Sequence, residues 1–146
     1  MRPFLRRWKE GGLRPLAPLA AELVAARLPR PAADVITYIP PDGDRSLRRG
    51  HHPAEGLARG LGRQWEIEVA PLLTRTRRVS RQTGLPLAER RRNVRGAFAT
   101  TRPVCGTVVL VDDVYTTGAT AGAAATALRR AGAARIEVLS LARAVR

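Results

Sequence analysis

Residues 108–120 read VVLVDDVYTTGAT, and this stretch decides the fold that the sequence predicts. Its first half is aliphatic and β-branched, which is typical of a strand buried on both faces of a parallel sheet. A strong helix former, AGAAATALRRAG, follows at 121–132 and ends at a glycine, and RIEVLSLA at 135–142 predicts another strand. Strand, helix and strand in this order form a βαβ unit, so the sheet is parallel at this point.

Two further helices are predicted in the first half of the chain. The first is amphipathic and ends at Pro29 and Pro31, which cannot continue a helix. Its positions follow helical spacing: Leu16, Leu19, Ala20, Leu23, Val24 and Leu28. The second helix is predicted over 53–65. It has three apolar residues on one face: Leu57, Leu61 and Trp65.

Two strands precede the βαβ unit. DVITYI at 34–39 predicts a short strand that ends before Pro40, and another is predicted around 67–73. Together these elements predict one α/β domain over residues 1–146, with a mostly parallel central sheet flanked by helices. Residues 1–33 form its N-terminal helical extension, and residues 74–96 form a long arginine-rich loop.

The charge of the chain is strongly positive. The formal net charge is +14, which predicts attraction to polyanions such as nucleic acid, an anionic membrane or a small polyphosphate. Lys9 is the only lysine, so cationic tasks elsewhere fall to arginine, which binds phosphate through a planar fork. The 74–96 segment alone holds eight arginines against one acid, Glu89.

Other classes of protein are disfavoured by composition. Cys105 is the only cysteine, so the chain has no internal disulfide and no thiolate zinc cluster. No secretory signal pattern and no apolar run of membrane-spanning length occur, and a membrane protein is therefore not expected. A cytoplasmic location is the expectation.

The loop after the central strand predicts an anion site. Five small residues stand at the mouth of the following helix, where backbone N–H groups and the helix dipole favour a phosphate. They are Thr116, Thr117, Gly118, Ala119 and Thr120. Neither of the glycine-rich nucleotide loops, GxxxxGK[ST] or GxGxxG, is present.

Two acids, Asp112 and Asp113, precede this loop. Side chains alternate along a strand, so the two carboxylates point in different directions unless the chain has begun to turn. Carboxylates would repel a phosphate bound beside them, but they accept hydrogen bonds from sugar hydroxyls. A pentose phosphate has the matching polarity, with its phosphate at one end and vicinal hydroxyls at the other.

The sequence resembles a known family at this point. VVLVDDVYTTGAT is similar to the phosphoribosyl-pyrophosphate (PRPP) motif of type I phosphoribosyltransferases. The resemblance extends to the ComF/GntX branch, a group associated with competence. It is carried by RRG at 48–50 followed by AEGLA, by QTGLPLAERRRNVRGAF at 82–98, and by GAARIEVLSLAR at 132–143. It covers roughly residues 34–143 and implies a type I phosphoribosyltransferase-like fold.

The resemblance also implies a role for each site residue. Residues 116–120 would hold the 5′-phosphate of PRPP, and Asp112 and Asp113 would bind the ribose 2′- and 3′-hydroxyls. The pyrophosphate loop would be Pro41, Asp42 and Gly43, and the 74–96 lid would act through Arg90, Arg91 and Arg92. Magnesium would arrive with PRPP and have no direct protein ligand. No residue is assigned as catalytic.

The chain departs from the family in three ways. It lacks the cysteine-rich zinc module, and it reads HHPAE at 51–55 where relatives read FNQAE. Thr116 stands where purine-specific relatives carry an acid, so the acceptor base is not identified. Tyr115 is a candidate to face that acceptor.

Three functions remain open from the sequence. The first is an enzyme that transfers phosphoribosyl to a nitrogen acceptor, such as a nucleobase, and is linked to DNA uptake through competence proteins. The second is a PRPP sensor without turnover, and the third a nucleic-acid-associated competence protein. Aromatic residues make up only 4% of the chain and do not alternate with the arginines, so nucleic-acid binding would be weak and salt-sensitive.

Overall fold

The computed structural model describes residues 16–41, 52–76, 96–115 and 117–143. Three parallel strands form a sheet in the order β1-β4-β5, and β2 and β3 form an antiparallel pair. The elements in chain order are α1 (Leu16–Ala25), β1 (Val35–Tyr38), α2 (Pro53–Trp65), β2 (Leu73–Arg75), β3 (Phe98–Thr100), β4 (Thr107–Tyr115), α3 (Ala119–Arg130) and β5 (Arg135–Arg143). None of the helices in these ranges has the length and apolar character needed to cross a bilayer.

β4 is the central strand of the parallel sheet. It pairs with β1 from Val35↔Val108 and with β5 from Thr107↔Arg135, so its apolar residues have a strand on either side. The four side chains from Val108 to Val111 are fully buried or nearly so. Burial of each such side chain stabilises the fold by roughly 1.5–3 kcal/mol. The aliphatic run of the sequence is thus explained, and the predicted βαβ unit is confirmed.

The two faces of the sheet are covered differently. Val109 and Val111 pack with α1 and α2, whereas Val108 and Leu110 pack with α3 and the β2–β3 pair. The predicted helix over 53–65 has these bounds in the structure, and its three predicted apolar residues are buried. The result is a helix–sheet–helix arrangement with a separate apolar core on each face.

α1 is confirmed as a helix, but Leu19 and Leu23 do not lie on its buried face. Ala20 and Ala21 are buried, while the side chains of Leu19 and Leu23 are 47% and 55% exposed. The reason lies in α2: a Cβ added to Gly60 would lie 2.5 Å from the Cβ of Ala21. The helices meet at a seam of glycine and alanine, which is too narrow for leucine.

The strand predicted around 67–73 is wrong over most of its length. A single parallel bridge joins Val69 to Ile36, with hydrogen bonds from Ile36 N–H to the Glu68 carbonyl and from Ala70 N–H to the Ile36 carbonyl. The ladder ends there, because the next N–H on this side, that of Leu72, donates to the Thr37 side-chain oxygen at 3.2 Å and to the Ala70 carbonyl at 2.9 Å. The chain then turns into β2, which pairs with β3 instead.

Candidate functional site

The carboxyl ends of β1 and β4 lie side by side. Tyr38 pairs with Val111, and the Ile39 N–H donates to the Val111 carbonyl at 3.0 Å. Ligands of open α/β folds bind outside this edge of the sheet. The structure therefore brings the start of the predicted pyrophosphate loop, Pro41, to the same edge as the acids and the phosphate loop. Asp42, Gly43, Arg90, Arg91, Arg92 and Thr116 lie outside the described residues.

The acids belong to β4 itself, which continues to Tyr115. Successive side chains of a strand point to opposite faces of the sheet. Asp112 therefore lies on the face of Val108 and Leu110, where α3 packs, and Asp113 lies on the face that α2 covers. Asp112 is 9% exposed and Asp113 is half-buried. The prediction that the two carboxylates point in different directions is therefore confirmed by the strand geometry.

Gly118 is the N-cap residue of α3 and lies at the turn between β4 and this helix. Its φ of 71° lies in the left-handed region, which favours glycine. An added Cβ would also collide with the Tyr115 ring and hydroxyl, so the aromatic ring lies directly against this glycine. Tyr115 consequently packs against Gly118 in the predicted phosphate loop, and its role toward an acceptor stays a prediction.

The beginning of α3 is where the sequence predicts an anion site. Thr117 Oγ1 accepts a hydrogen bond from the Ala119 N–H at 3.4 Å, and the Gly122 N–H donates to the Gly118 carbonyl at 2.7 Å. Residues 117–120 are all half-buried. The first N–H groups of a helix have no partner within the helix, and the helix dipole adds partial positive charge there.

His52 is a neighbour of this site that the sequence prediction did not include among the site residues. It is the N-cap residue of α2, and its ring meets the Tyr38 ring edge-on at 5.5 Å between centroids. Its side chain is 14% exposed, and Nδ1 lies 3.6 Å from Glu55 Oε2. This buried nitrogen has no hydrogen-bond partner among the described residues. Burial lowers the pKa of His52, while the charges of Glu55 and Asp113 oppose that shift.

Glu55 connects His52 to a second pair of side chains. Its Oε1 accepts hydrogen bonds from Arg59 Nε at 2.9 Å and Nη2 at 2.8 Å. Partial burial pushes the pKa of Glu55 upward, but the hydrogen bond and charge of Arg59 bring it below the ordinary value. Burial, together with the Glu55 charge, raises the pKa of Tyr38. On the α2 side, the carboxyl edge of the sheet therefore carries an ionised Glu55 beside the uncharged rings of Tyr38 and His52.

Arg75 reaches the edge from β2. Its Nε donates to the carbonyl oxygens of Pro40 and Pro41, at 3.1 Å each, and its guanidinium lies 4.9 Å from the centre of the Phe98 ring. The sequence prediction included this arginine only as part of the 74–96 segment. Its partners are 34 and 35 residues away along the chain, so no local pattern could have identified them.

The described residues do not offer a metal ion a dedicated set of ligands. Within the four described ranges, no three histidine, cysteine or acidic side chains come together to hold a metal ion. Carboxylate oxygens are hard ligands, and Mg²⁺ is commonly bound through one or two of them together with substrate phosphates and water. The described residues are therefore compatible with a magnesium ion that enters with a phosphate ligand and takes its direct ligands from phosphate and water.

Sequence comparison finds relatives among bacterial proteins. The chain is 40% identical over 115 residues to the DNA utilization protein YhgH of Escherichia coli O157:H7, covering 75% of this chain and 49% of that protein. It is 35% identical over 105 residues to competence protein F of Haemophilus influenzae, covering 68% and 46% respectively. The chain spans about half the length of these relatives. No family model matches the sequence.

Solved structures give the same fold. The chain is similar to the glutamine PRPP amidotransferase of B. subtilis in complex with ADP and GMP, with a TM-score of 0.57 and 28% identity over 86% of this chain and 26% of that one. A structure described as the allosteric regulatory enzyme of purine biosynthesis matches with a TM-score of 0.58, 28% identity and coverage of 86% and 25%. The expected type I phosphoribosyltransferase fold is thereby confirmed.

Proposed function

Because this chain is a homologue of competence protein F and of the DNA utilization proteins and has the type I phosphoribosyltransferase fold, we propose that it binds PRPP and transfers its phosphoribosyl group to a nitrogen acceptor. Pyrophosphate is the second product. The proposal includes a cytoplasmic location and a role linked to DNA uptake. The acceptor is a nucleobase or a related ring nitrogen.

One observation carries the proposal: the two acids and the predicted anion site lie within the nine residues 112–120, at the end of the same central strand. A ligand at this edge must offer hydrogen-bond donors to Asp112 and Asp113 and an anion to the residues that begin α3. Ribose 5-phosphate has both groups on one small molecule. A helix terminus alone would attract any anion, so the acids give the site its selectivity.

The proposal assigns each part of PRPP to one set of residues. Residues 116–120 bind the 5′-phosphate, and the two carboxylates accept hydrogen bonds from the ribose 2′- and 3′-hydroxyls. The pyrophosphate then extends toward the loop of Pro41, Asp42 and Gly43 that follows β1. The half-buried and buried positions of the acids strengthen these hydrogen bonds, since the local dielectric is low.

Transfer requires the acceptor nitrogen to bond to C1 of the ribose while the bond from C1 to the pyrophosphate oxygen breaks. Pyrophosphate leaves with the bonding electron pair, and the acceptor nitrogen loses a proton. The chain's residues hold the sugar in place through the reaction and stabilise the departing charge, with Arg90, Arg91 and Arg92 assigned to the latter task. Magnesium, when bound, neutralises part of the pyrophosphate charge. No residue is assigned as the general base.

A second candidate function is nucleic-acid binding. The net charge of +14 favours it, and so do the names of the relatives, which refer to DNA utilization and competence. It does not explain the acid pair, because carboxylates at the centre of an edge repel a phosphate backbone. The PRPP proposal explains both the acid pair and the positive charge of the chain, so we rank it first.

Calorimetric titration of PRPP with and without Mg²⁺ tests the proposal, with ribose 5-phosphate as the control ligand. Single-stranded DNA is titrated in parallel at two salt concentrations. Magnesium-dependent PRPP binding supports the site, and release of pyrophosphate with a nucleobase then identifies an enzyme. PRPP binding without release identifies a sensor. Binding of DNA with no binding of PRPP refutes the proposal.

A further inference from the structure

β5 forms one edge of the parallel sheet. Within the described residues it pairs with β4 alone, although it is nine residues long. Edge strands of soluble proteins are usually short, or they carry charged residues or proline that discourage pairing with a further strand. The interior of β5, residues 136–142, contains only one charged residue, Glu137, and no proline. This edge is therefore suited to pairing with another strand.

The ladder to β4 uses only half of the backbone groups of β5. On β4, the carbonyls of Thr107 and Val111 accept hydrogen bonds from the β1 side, at 2.9 and 3.0 Å. Successive residues direct their backbone groups to alternate sides, so the even-numbered residues of β4 face β5. The Arg135 N–H donates to the Gly106 carbonyl at 3.3 Å, in agreement with this pattern. The odd-numbered residues of β5 thus bond to β4, and the even-numbered residues of 136–142 direct their N–H and C=O groups to the edge.

Apolar side chains lie on both faces of this edge. Val138 pairs with Leu110 of β4, lies on the α3 face and is 45% exposed. Leu139 and Leu141 pack against the apolar core on the α2 face but are only half-buried. An apolar neighbour beside β5 would complete the burial on both faces and would also satisfy the backbone groups of the edge.

We infer that β5 is the contact between two copies of this chain. The two β5 strands pair antiparallel about a twofold axis at Ser140, and the three-stranded parallel sheets join into one sheet of six strands. A twofold axis requires a surface that is complementary to itself. This inference does not depend on the proposed function, because it makes no use of the PRPP site.

The apolar residues of β5 fit this register. When Ser140 lies opposite its own copy, Leu139 of one chain faces Leu141 of the other on the α2 face. Val138 likewise faces Ala142 on the α3 face. The even-numbered residues face one another and form the hydrogen-bonded pairs, as their backbone direction requires. Each of these contacts occurs twice because of the symmetry.

Charge favours the same register. Glu137 falls opposite residue 143, which is an arginine in the sequence, and opposite charges that face each other across strands are favourable. Moving the axis to Leu139 would place Arg135 opposite residue 143, so that two arginines face each other, and would place Glu137 opposite a leucine. Moving it to Leu141 would place Leu139 opposite the arginine. Only the axis at Ser140 matches both the apolar and the charged positions.

The first test uses two matched variants of the 146-residue chain. Val138→Lys places a charge within the proposed contact. Leu19→Lys introduces the same charge on α1, at a residue that is 47% exposed, against 45% for Val138. Sedimentation at several protein concentrations measures the mass in solution, which is 15.9 kDa for one chain. Thermal unfolding checks that each variant is folded.

Pairing through β5 predicts the mass of two chains for wild type and for Leu19→Lys. Val138→Lys is expected to raise the dissociation constant of the dimer about a hundredfold, because an effect of about tenfold occurs at two symmetric positions. A wild-type monomer at every concentration would overturn the inference and would indicate that another part of the chain covers the edge. A dimer that Leu19→Lys weakens and Val138→Lys does not would place the contact on α1 and overturn it equally.

Disulfide cross-linking tests the register. The variant Ser140→Cys is made together with Cys105→Ala, because Cys105 is exposed and would react as well. Facing residues of a hydrogen-bonded antiparallel pair have Cα atoms about 5.5 Å apart, which a disulfide can span. An added oxidant should therefore give a covalent dimer.

Val138→Cys with Cys105→Ala is the control for the register. Its two copies would lie four residues apart along the paired strands, about 13 Å, and should not form a disulfide. Cross-linking at 138 without cross-linking at 140, or no cross-linking at either position, would contradict the proposed axis at Ser140.

Discussion

Asp112 and Asp113 are neighbours in sequence but lie on opposite faces of β4. The first is buried on the side where α3 packs, and the second is half-buried beside His52 on the α2 side. Two carboxylates on one face would repel each other and compete for the same donor. On opposite faces, each can accept a hydrogen bond from a different hydroxyl of one sugar.

Replacing the acids tests this assignment at the residue scale. Asp112→Asn and Asp113→Asn preserve shape but exchange an acceptor oxygen for an NH₂ donor, which a hydroxyl donor cannot use in the same way. Each change is expected to weaken PRPP binding by roughly tenfold to a hundredfold, and the double variant to abolish it in calorimetry. Circular dichroism should show that the fold is retained.

A control for the acid variants is available at the opposite edge of the sheet. Asp34 Oδ2 accepts a hydrogen bond from the Thr107 N–H at 2.7 Å, where β4 begins. Asp34→Asn should therefore affect stability more than affinity. Wild-type affinity in the Asp112→Asn, Asp113→Asn double variant would refute the ribose assignment.

His52 makes the stability of the protein depend on pH. Its ordinary pKa is 6.5, and in the folded protein burial lowers that pKa despite the opposing charges of Glu55 and Asp113. The folded state therefore binds fewer protons than the unfolded state between the two pKa values. The contribution of His52 to the free energy of unfolding is fully present above pH 6.5. It is lost as the pH falls from 6.5 toward the folded-state pKa.

The variant His52→Asn should remove this contribution while leaving a polar side chain at the start of α2. The measurement is denaturant unfolding of both proteins from about pH 5 to about pH 8. The other groups around the ring, Tyr38, Glu55, Arg59 and Asp113, are common to both proteins, so their titration largely cancels in the difference. A constant difference across the pH range would contradict the prediction.

At the scale of elements, the seam between α1 and α2 depends on residues without bulk. A Cβ on Gly56 would lie 2.9 Å from the Ala17 Cβ, and one on Gly60 would lie 2.5 Å from the Ala21 Cβ. Both separations are too short for two carbon atoms, so an added methyl group would force the helices apart. The close approach explains why leucines of α1 are turned away from α2.

Gly60→Ala should destabilise the fold although alanine is the better helix former. Alanine gains up to about 1 kcal/mol in an open helix, but overpacking a tight interface costs about 1–3 kcal/mol. The net loss is expected to be about 1–2 kcal/mol in the free energy of unfolding.

Gly122→Ala is the matched control, because a Cβ there meets no atom within 4 Å. It should stabilise α3 by up to about 1 kcal/mol. Denaturant unfolding of the two variants compares them directly. Stabilisation by both would show that the helices separate without cost.

Elements with strong local patterns could be predicted from the sequence. The run at 107–111, the helix at 53–65 and the acids followed by small residues each carry a complete local signal. The buried side of α1 could not be predicted, because it depends on glycines of α2 that lie some forty residues away. The contacts of Arg75 and His52 could not be predicted for the same reason: they bring together separate strands and helices.

For the whole molecule, part of the positive charge lies away from the proposed ligand site. Four exposed arginines of the described chain lie near the amino ends of β4 and β5, which is the edge opposite the acids: Arg102, Arg129, Arg130 and Arg135. Two of them pair with acids, Arg102 with Glu68 at 3.5 Å and Arg135 with Glu137 at 3.0 Å. Positive charge on the described residues therefore extends beyond the carboxyl edge of the sheet and adds to the field over the surface.

Single-stranded DNA should accordingly bind through charge alone and independently of PRPP. Affinity is expected to fall roughly tenfold or more between about 50 mM and about 200 mM salt, because counterions compete for the phosphates. Saturating PRPP with Mg²⁺ should leave DNA affinity within about twofold, since the carboxyl edge is not needed for a general electrostatic attraction. Fluorescence anisotropy of labelled DNA measures both effects in one titration. Displacement of the DNA by PRPP would instead show that the two ligands share the carboxyl edge, and the acid variants would then be expected to bind DNA more tightly than wild type.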